Sequence, residues 1–424
     1  MTPTPVLSVD EIDFADPAFW ARPPAERDTA FATLRAHPSL VFHREYEIPG
    51  FPKGPGYWSL VRHEHVTLAS RRPDLFCSGQ GTQIPDQPQI FNEAFGSMIN
   101  MDDPRHARLR RIVSGSFTPR MLKRVERQVQ EAAGAVIDAV AERGACDFVT
   151  DIAAALPLRI ICDMMGIPES QYGFVFDRTN VILGAGDPEY VSDPAAVAGA
   201  LLTAGAELTQ LVQELGRLRC ERPTDDLTSA LVNSQVDGDS LSESDLGSFF
   251  VLLVVAGNET TRNAISHGMK ALCDFPAERA RWMADFEGLA PTAVEEIVRW
   301  ATPVMHFRRT ATRDTEIGGQ PIRAGDKVVL WYTSANRDEA VFDDPYRFDV
   351  GRTPNDHVGF GAPGPHFCLG ANLARREITV MFRELFQRLP DLQITGEPAR
   401  LLSGFINGIK HMPCEFTPVA PARR

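Results

Sequence analysis

The feature that most constrains this chain is one uninterrupted helical pattern over 246–272. Asp245 can open it, and Phe249, Leu252, Leu253, Ala256 and Thr260 fall on one side. At 1.5 Å per residue the helix is about 35–40 Å long, enough to cross a whole molecule, so the rest of the chain must pack around it. The pattern stays mostly helical from 104 to 300, and a further helix follows Cys368 to about residue 388. β-favouring residues at 38–48 and 57–62 flank a turn-rich stretch and read as a hairpin. Strands return at 315–317, a Gly318-Gly319 turn and 328–331, while 77–100 reads as loop. The expected fold is mainly α with small antiparallel β-sheets, one continuous domain over 26–424. A Pro- and Asp-rich surface arm is expected at 1–25.

Composition excludes several classes. With 43 basic and 56 acidic residues the net charge is −13, so the bulk surface is not a nucleic-acid footprint. The densest apolar run, 249–257, falls short of the roughly 20 residues of a spanning helix, and no membrane span is expected. The first thirteen residues have neither a basic start nor an apolar run, so no signal peptide is expected and the expected place is cytoplasmic. Seven scattered cysteines without a C-x-x-C pair favour neither a disulfide framework nor a cysteine-rich zinc site.

Four constellations carry chemistry. In the first, Phe360-Gly361-Ala362-Pro363-Gly364-Pro365-His366-Phe367-Cys368-Leu369-Gly370, Gly and Pro make a tight loop and place Cys368 just before a helix. A helix start favours a thiolate, which suits a soft metal ligand; a structural cysteine at a helix start has the same pattern. The second is Ala256-Gly257-Asn258-Glu259-Thr260-Thr261. A mid-helix Gly costs up to about 1 kcal/mol, and a Glu in an apolar run is costly to bury. Gly257 can admit a ligand to the helix backbone, and Glu259 with Thr260 can relay protons; a kinked core helix with Glu259 at the surface is the other reading. Third, Glu296 and Arg299 at i, i+3 share a helix face and can pair, although E-x-x-R is common by chance and a solvated helix face is the default reading. Fourth, in Asp102-Asp103-Pro104-Arg105-His106-Ala107-Arg108-Leu109-Arg110, Asp103 can cap and Pro104 can begin a helix. There His106 and Arg110 at i, i+4 can hold a carboxylate or phosphate, or lie on an exposed basic helix.

These four motifs, in this order, together with Ala335-Asn336-Arg337-Asp338 and Phe342-Asp343-Asp344-Pro345-Tyr346-Arg347-Phe348, resemble the cytochrome P450 family over nearly the whole chain. The loop carries one residue more than the usual spacing, with Phe360 eight residues before the cysteine. Segments 160–168, 254–265 and 289–300 are similar to actinobacterial members that hydroxylate the chain ends of methyl-branched lipids and sterols. The resemblance implies a triangular helical haem domain with Cys368 as thiolate ligand of haem b iron and O2 as co-substrate. It places Ala256, Gly257, Glu259 and Thr260 on the oxygen side, with Thr260 and Glu259 catalytic. It sets His106, Arg110, Arg309 and His366 at the haem propionates, and Glu296, Arg299 and Arg347 in a buried structural triad. Candidate substrate walls by family position are Phe91, Phe95, Met98, Leu252, Leu253, Val304 to Phe307, Phe405 and Ile406.

The implied activity is a monooxygenase acting on a terminal methyl of a methyl-branched fatty acid, isoprenoid lipid or sterol side chain. Primary C–H bonds are the strongest in such a chain, so selectivity must come from positioning. A polyketide or terpenoid substrate, or a haem-binding sensor without turnover, are the competing readings, and an intact Glu259-Thr260 pair speaks against the sensor. Electrons are expected from a ferredoxin and a ferredoxin reductase. The segment from Arg105 to Arg127, with eight basic residues (105, 108, 110, 111, 120, 123, 124, 127) and one acid, Glu126, can dock an acidic ferredoxin or form a solvated helix surface.

Overall fold

The computed structural model describes residues 6–48, 52–88, 97–116, 119–233 and 241–421. The helices that frame the site are α1 Pro24–Ala36, α2 His63–Arg71, α3 Arg105–Ser116, α4 Pro119–Val140, α5 Ala155–Met165, α6 Tyr172–Gly184, α7 Val197–Glu221, α8 Glu243–Asp274, α9 Phe286–Ala301 and α10 Ala371–Arg388. The strands are β1 Val41–His43, β2 Tyr57–Leu60, β3 Phe76–Cys77, β4 Ala145–Asp147, β5 His306–Ala311, β6 Thr315–Ile317, β7 Gln320–Ile322, β8 Lys327–Trp331, β9 Gln393–Ile394, β10 Ala399–Arg400, β11 Ile409–His411 and β12 Pro413–Glu415.

Helix α8 is the expected long element, 32 residues and about 48 Å. It begins two residues before Asp245. Ser242 is the N-cap, its hydroxyl accepting from the Asp245 N–H at 3.0 Å while the Asp245 carboxylate accepts from the Ser242 N–H at 3.3 Å. Around α8 pack α5, α6, α7, α9 and α10. Val254, Ile265, Leu272, Ile297, Met381 and Phe382 meet there in one helical core. A second core lies under the main sheet, around Val66, Val328 and Leu330.

The main sheet has the order β1-β2-β8-β5-β3. β1 and β2 form the expected hairpin, with Val41 opposite Ser59. β2 and β8, however, run parallel, Trp58 opposite Val328, where only antiparallel pairing was expected. These strands are far apart in sequence, so no hairpin turn dictates their sense.

The surface arm is corrected. Within 1–25, Ile12, Phe14, Phe19 and Trp20 are buried. The Phe14 ring lies 4.7 Å from Trp331 and 5.1 Å from Phe31, and the Trp20 indole N–H donates to the Phe14 carbonyl at 3.0 Å. Aromatic rings carry large buried area, so three of them dock a segment whose average composition is polar. Among the described residues one stretch, 194–221, is long and apolar enough to cross a membrane by length and composition. Most of it is α7, which packs on α8.

Candidate functional site

The Cys368 loop is clamped from several sides. Helix α10 starts at Ala371 with Gly370 as N-cap, so Cys368 precedes its first turn. The Cys368 N–H donates to the Phe360 carbonyl at 2.9 Å, and Gly361 turns the chain with φ +84°. Gly364 has no room for a side chain, because a Cβ would lie 2.3 Å from the Ser70 carbonyl oxygen of α2. The Phe360 ring lies beneath the Arg375 guanidinium at 4.4 Å and 6.3 Å from Phe367, which is how the longer loop packs. Arg375 is held by Glu295 at 2.9 Å, and Glu295 also bonds His357 at 2.9 Å. Burial pushes the Glu295 carboxyl up, but these two partners outweigh it and hold it at about 2.

Cys368 is accessible at its surface yet deeply set. Burial pushes its thiol up, against the Gly370 N–H, Arg110 and Arg375. The helix-start reasoning gives the opposite sign, and desolvation is the larger effect. A bound metal cation removes such a proton outright, which is the chemistry of a thiolate ligand.

Beside this loop lies a cluster of donors whose one close acid among the described residues is Asp103, 3.4 Å from the His106 Nδ1. His106 of α3 is buried, with its ring 4.2 Å from that of His366, and its Nε2 has no partner among the described residues. His366 sits 3.1 Å from the Ser78 hydroxyl; burial, then Arg309, His106 and Arg110, pull its pKa down to about 3. Arg309 of β5 is 4% exposed, and its guanidinium donates to the Arg308 carbonyl at 2.8 Å. No carboxylate lies within 4 Å of it among the described residues. Arg110 donates to the Phe367 carbonyl at 2.7 Å. A buried cation without a counter-charge is expensive, so this cluster calls for an anionic ligand.

Helix α8 is buried over most of its length but opens at one face. Ala256 is exposed, and Leu252, Leu253, Gly257 and Thr260 are half-buried. The Thr260 hydroxyl donates to the Ala256 carbonyl at 2.6 Å. Glu259 is not beside it. Its carboxylate is buried in an ion pair with Arg262 and accepts from Asn263 at 2.9 Å, while Arg262 reaches Asn180 of α6 at 3.0 Å. Arg262 was missed in the sequence, although its i, i+3 spacing from Glu259 is the available signal. A Cβ at Gly257 would lie 2.1 Å from the Ile161 Cδ1 of α5, so the two helices approach closely there.

Of the candidate substrate walls, Phe307 and Phe405 meet at 5.6 Å and Val304 bridges to Ile406. Met98 packs instead in the helical core with Leu109 and Val113. Phe91 and Phe95 lie outside the described residues.

The triad is also corrected. Arg299 makes a two-bonded pair with Glu296 at 2.7 and 2.8 Å, both fully buried. The third member is Arg352, whose Nε lies 3.1 Å from Glu296. Arg347 contributes its carbonyl to Arg299, and its exposed side chain points to Glu278 at 3.8 Å.

The comparisons follow this geometry. A family model of cytochrome P450 matches residues 289–395. The methyl-branched lipid omega-hydroxylase of Mycobacterium tuberculosis is 51% identical over 419 residues, covering 98% of this chain and 97% of that protein. The chain belongs to the cytochrome P450 family. The steroid C26-monooxygenase of Mycolicibacterium smegmatis is 40% identical over 98% of this P450 and 96% of its own length. A Mycobacterium marinum cytochrome P450 solved in complex with pseudoionone superposes with a TM-score of 0.90 at 44% identity, over 98% of this P450 and all of that chain.

This P450 is therefore an oxidoreductase of the monooxygenase class, using haem b and O2, with electrons supplied by redox partners. The residues present fit that cofactor. Haem carries two carboxylates, and the cluster of His106, Arg110, Arg309 and His366, in which Arg309 has no carboxylate within 4 Å among the described residues, adjoins the accessible Cys368.

Proposed function

We propose that this P450 hydroxylates the terminal methyl of methyl-branched fatty acids or isoprenoid lipids, or of a sterol side chain. The observation that carries the reading is full-length identity of 51% to a methyl-branched lipid omega-hydroxylase, alongside 40% to a steroid C26-monooxygenase. The aromatic pair Phe307 and Phe405, with Leu252 and Leu253 across the open face of α8, supports an apolar substrate.

Cys368 would ligate the haem iron, and Arg309, Arg110, His106 and His366 would hold the propionates. Bound haem supplies oxygen activation and C–H oxidation. The protein residues supply orientation and protons. Thr260, on the open face of α8 beside Ala256, presents a hydroxyl there while its own proton rests on the Ala256 carbonyl. Glu259 is the proton donor held in reserve; its release requires that the carboxylate exchange Arg262 and Asn263 for Thr260. Phe405 and Phe307 position the chain end so that its methyl, rather than a weaker internal C–H, is presented.

The electron donors in this reading are a ferredoxin and its reductase, and the place of action is the cytoplasm. Lys123 and Arg127 are exposed on α4, while Arg105 leans to Asp245 at 3.5 Å and Glu126 is engaged by Arg376 at 2.9 Å. This basic face suits an acidic partner. Lys123→Glu is expected to slow reduction at low salt and to flatten its salt dependence; an unchanged salt profile removes the face from the proposal.

The test of the substrate is a spectral titration with methyl-branched fatty acids, cholesterol-type ketones and pseudoionone, with product analysis of each binder. Terminal alcohols are expected. Hydroxylation confined to internal carbons, or binding of pseudoionone alone, overturns the reading.

A further inference from the structure

Away from the haem residues, two thiols face one another across a sheet. Cys146 of β4 and Cys414 of β12 are register partners in an antiparallel pair, so their side chains leave the same face of adjacent strands. The two Sγ atoms are 3.5 Å apart. Such partners have Cα atoms about 4.5–5.5 Å apart, inside the roughly 4.4–6.8 Å that a disulfide spans. β12 is the central strand of its sheet, between β4 and β9. Cys414 is 1% exposed, whereas Cys146 is half-buried and reachable from solvent.

We propose that Cys146 and Cys414 form a reversible oxidation site, closing into an intramolecular disulfide when peroxide meets the protein. Hydrogen peroxide is the oxidant that a monooxygenase releases when oxygen reduction outruns substrate oxidation. The Cys146 sulfur, its proton lost, attacks one peroxide oxygen; an S–O bond forms, the O–O bond breaks, and the departing hydroxide takes a proton and leaves as water. The Cys414 sulfur then attacks the Cys146 sulfur; the S–S bond forms, the S–O bond breaks, and the released hydroxide leaves as a second water with the Cys414 proton. Two thiols lose two electrons and one peroxide gains them. Burial sets the order, since only Cys146 is open to the oxidant. The hydrogen bond with Cys146 and burial both hold the proton on Cys414 until that step.

The bond would join residues 268 positions apart, a long closure that restricts the unfolded chain strongly. It would also reach the site. β4 leads directly into the π-helical turn Phe148–Ala153, which packs on α8. β12 follows β11, where the Ile409 N–H donates to Asn263 at 3.0 Å, and Asn263 in turn holds Glu259. Closure therefore stiffens the segment that anchors the reserve proton donor.

The holoenzyme is treated with hydrogen peroxide and, separately, with diamide, which oxidises thiols without reacting at haem. A Cys220→Ser background removes an exposed thiol that would link two molecules. The expected result is a Cys146–Cys414 cross-linked peptide on a non-reducing map and the loss of two hydrogen atoms per chain. A rise in the thermal midpoint that dithiothreitol reverses accompanies it. Cys146→Ser and Cys414→Ser should each abolish the rise. Because Cys414 is buried and its variant can lose stability outright, the oxidised-minus-reduced difference in Cys146→Ser is decisive. If both thiols stay open to alkylation after diamide, or if Cys146→Ser keeps the rise, the proposal is wrong.

Discussion

Arg309 separates the two roles a buried cation can have. A guanidinium that is 4% exposed with no carboxylate within 4 Å among the described residues weakens the cofactor-free fold, because desolvation is uncompensated. Arg309→Leu should therefore leave the apoprotein as stable as before or more so, while it weakens haem retention. Losing a charge-assisted hydrogen bond costs about 1.5–3 kcal/mol, or roughly ten- to a hundredfold in affinity. Haem transfer to apomyoglobin reports the retention, and urea unfolding of the apoprotein reports the stability; parallel loss in both assigns Arg309 to folding alone. Thr260 makes a different case. Its hydroxyl touches only its own helix, so Thr260→Ala should barely move the thermal midpoint. Yet NAD(P)H consumption should continue with peroxide replacing alcohol, and an unchanged ratio of alcohol to NAD(P)H contradicts the role given to that hydroxyl. Glu259 is bound to Arg262 rather than Thr260, so Arg262→Leu should strand a buried carboxylate. Breaking such a pair costs about 3–5 kcal/mol, read by chemical unfolding. Glu259→Gln on top of it should restore part of that loss.

At the scale of elements, helix α9 and the irregular segment 349–355 are joined through one carboxylate. Glu296 receives Arg299, Arg352, the Asp349 N–H and Asn355. Arg352→Ala should destabilise the holoenzyme far more than Arg347→Ala, which removes an exposed side chain and is expected to change stability by less than about 0.5 kcal/mol. Thermal midpoints of the two variants check this, and equal losses return Arg347 to the triad. The sequence carries Glu296 and Arg299 clearly because both lie on one helix at fixed spacing. It does not carry the third member, because two arginines five residues apart on an irregular segment differ only in which one the chain turns inward. The same limit explains other differences. Long periodic elements, α8 and α10, are legible to within about three residues at their ends, and Gly361 and Gly364, whose turn and close approach demand glycine, are legible too. The N-terminal segment misled because burial there depends on a distant partner, Trp331. Gly257 is visible as an anomaly, but its close neighbour Ile161 lies on another helix. Glu259 and Thr260 are neighbours in sequence, yet successive helical positions point about 100° apart, so adjacency did not place them together.

For the whole molecule, proton linkage sets a direction for stability against pH. His43, His267 and His306 are buried, and burial pulls them to about 4, about 3 and about 3. An unfolded imidazole titrates near ~6.5. Between these values the unfolded chain binds more protons than the folded one, so stability falls as pH drops from ~6.5 toward ~4, by about 1.4 kcal/mol per pH unit for each such histidine. His411 has the opposite sign. Its bond to Glu189, foremost, and its bond to Asp147 raise its pKa against partial burial. Its contribution is complete below ~6.5 and disappears as pH rises through the raised folded value. Burial also lowers His65, His106 and His366, so six histidines against one predict a net loss on acidification, and the two signs can be separated. His306→Asn keeps a donor for the Gly404 carbonyl, which His306 now meets at 3.0 Å, but cannot take a proton. It should flatten the acid limb of the thermal midpoint between pH 7 and pH 5 and leave the alkaline side alone, whereas His411→Asn should lower stability near pH 6 and converge with the parent at high pH. Curves that stay parallel to the parent throughout contradict both assignments. His306 also stands behind the proposed substrate wall, its ring 5.4 Å from Phe405 and 4.7 Å from Trp331. Held at about 3 in the fold, His306 stays neutral behind that apolar wall between pH 7 and pH 5, so it should add no pH dependence to lipid affinity in the spectral titration over that range, and a His306→Asn variant whose affinity profile differs in shape from the parent's contradicts the buried neutral imidazole.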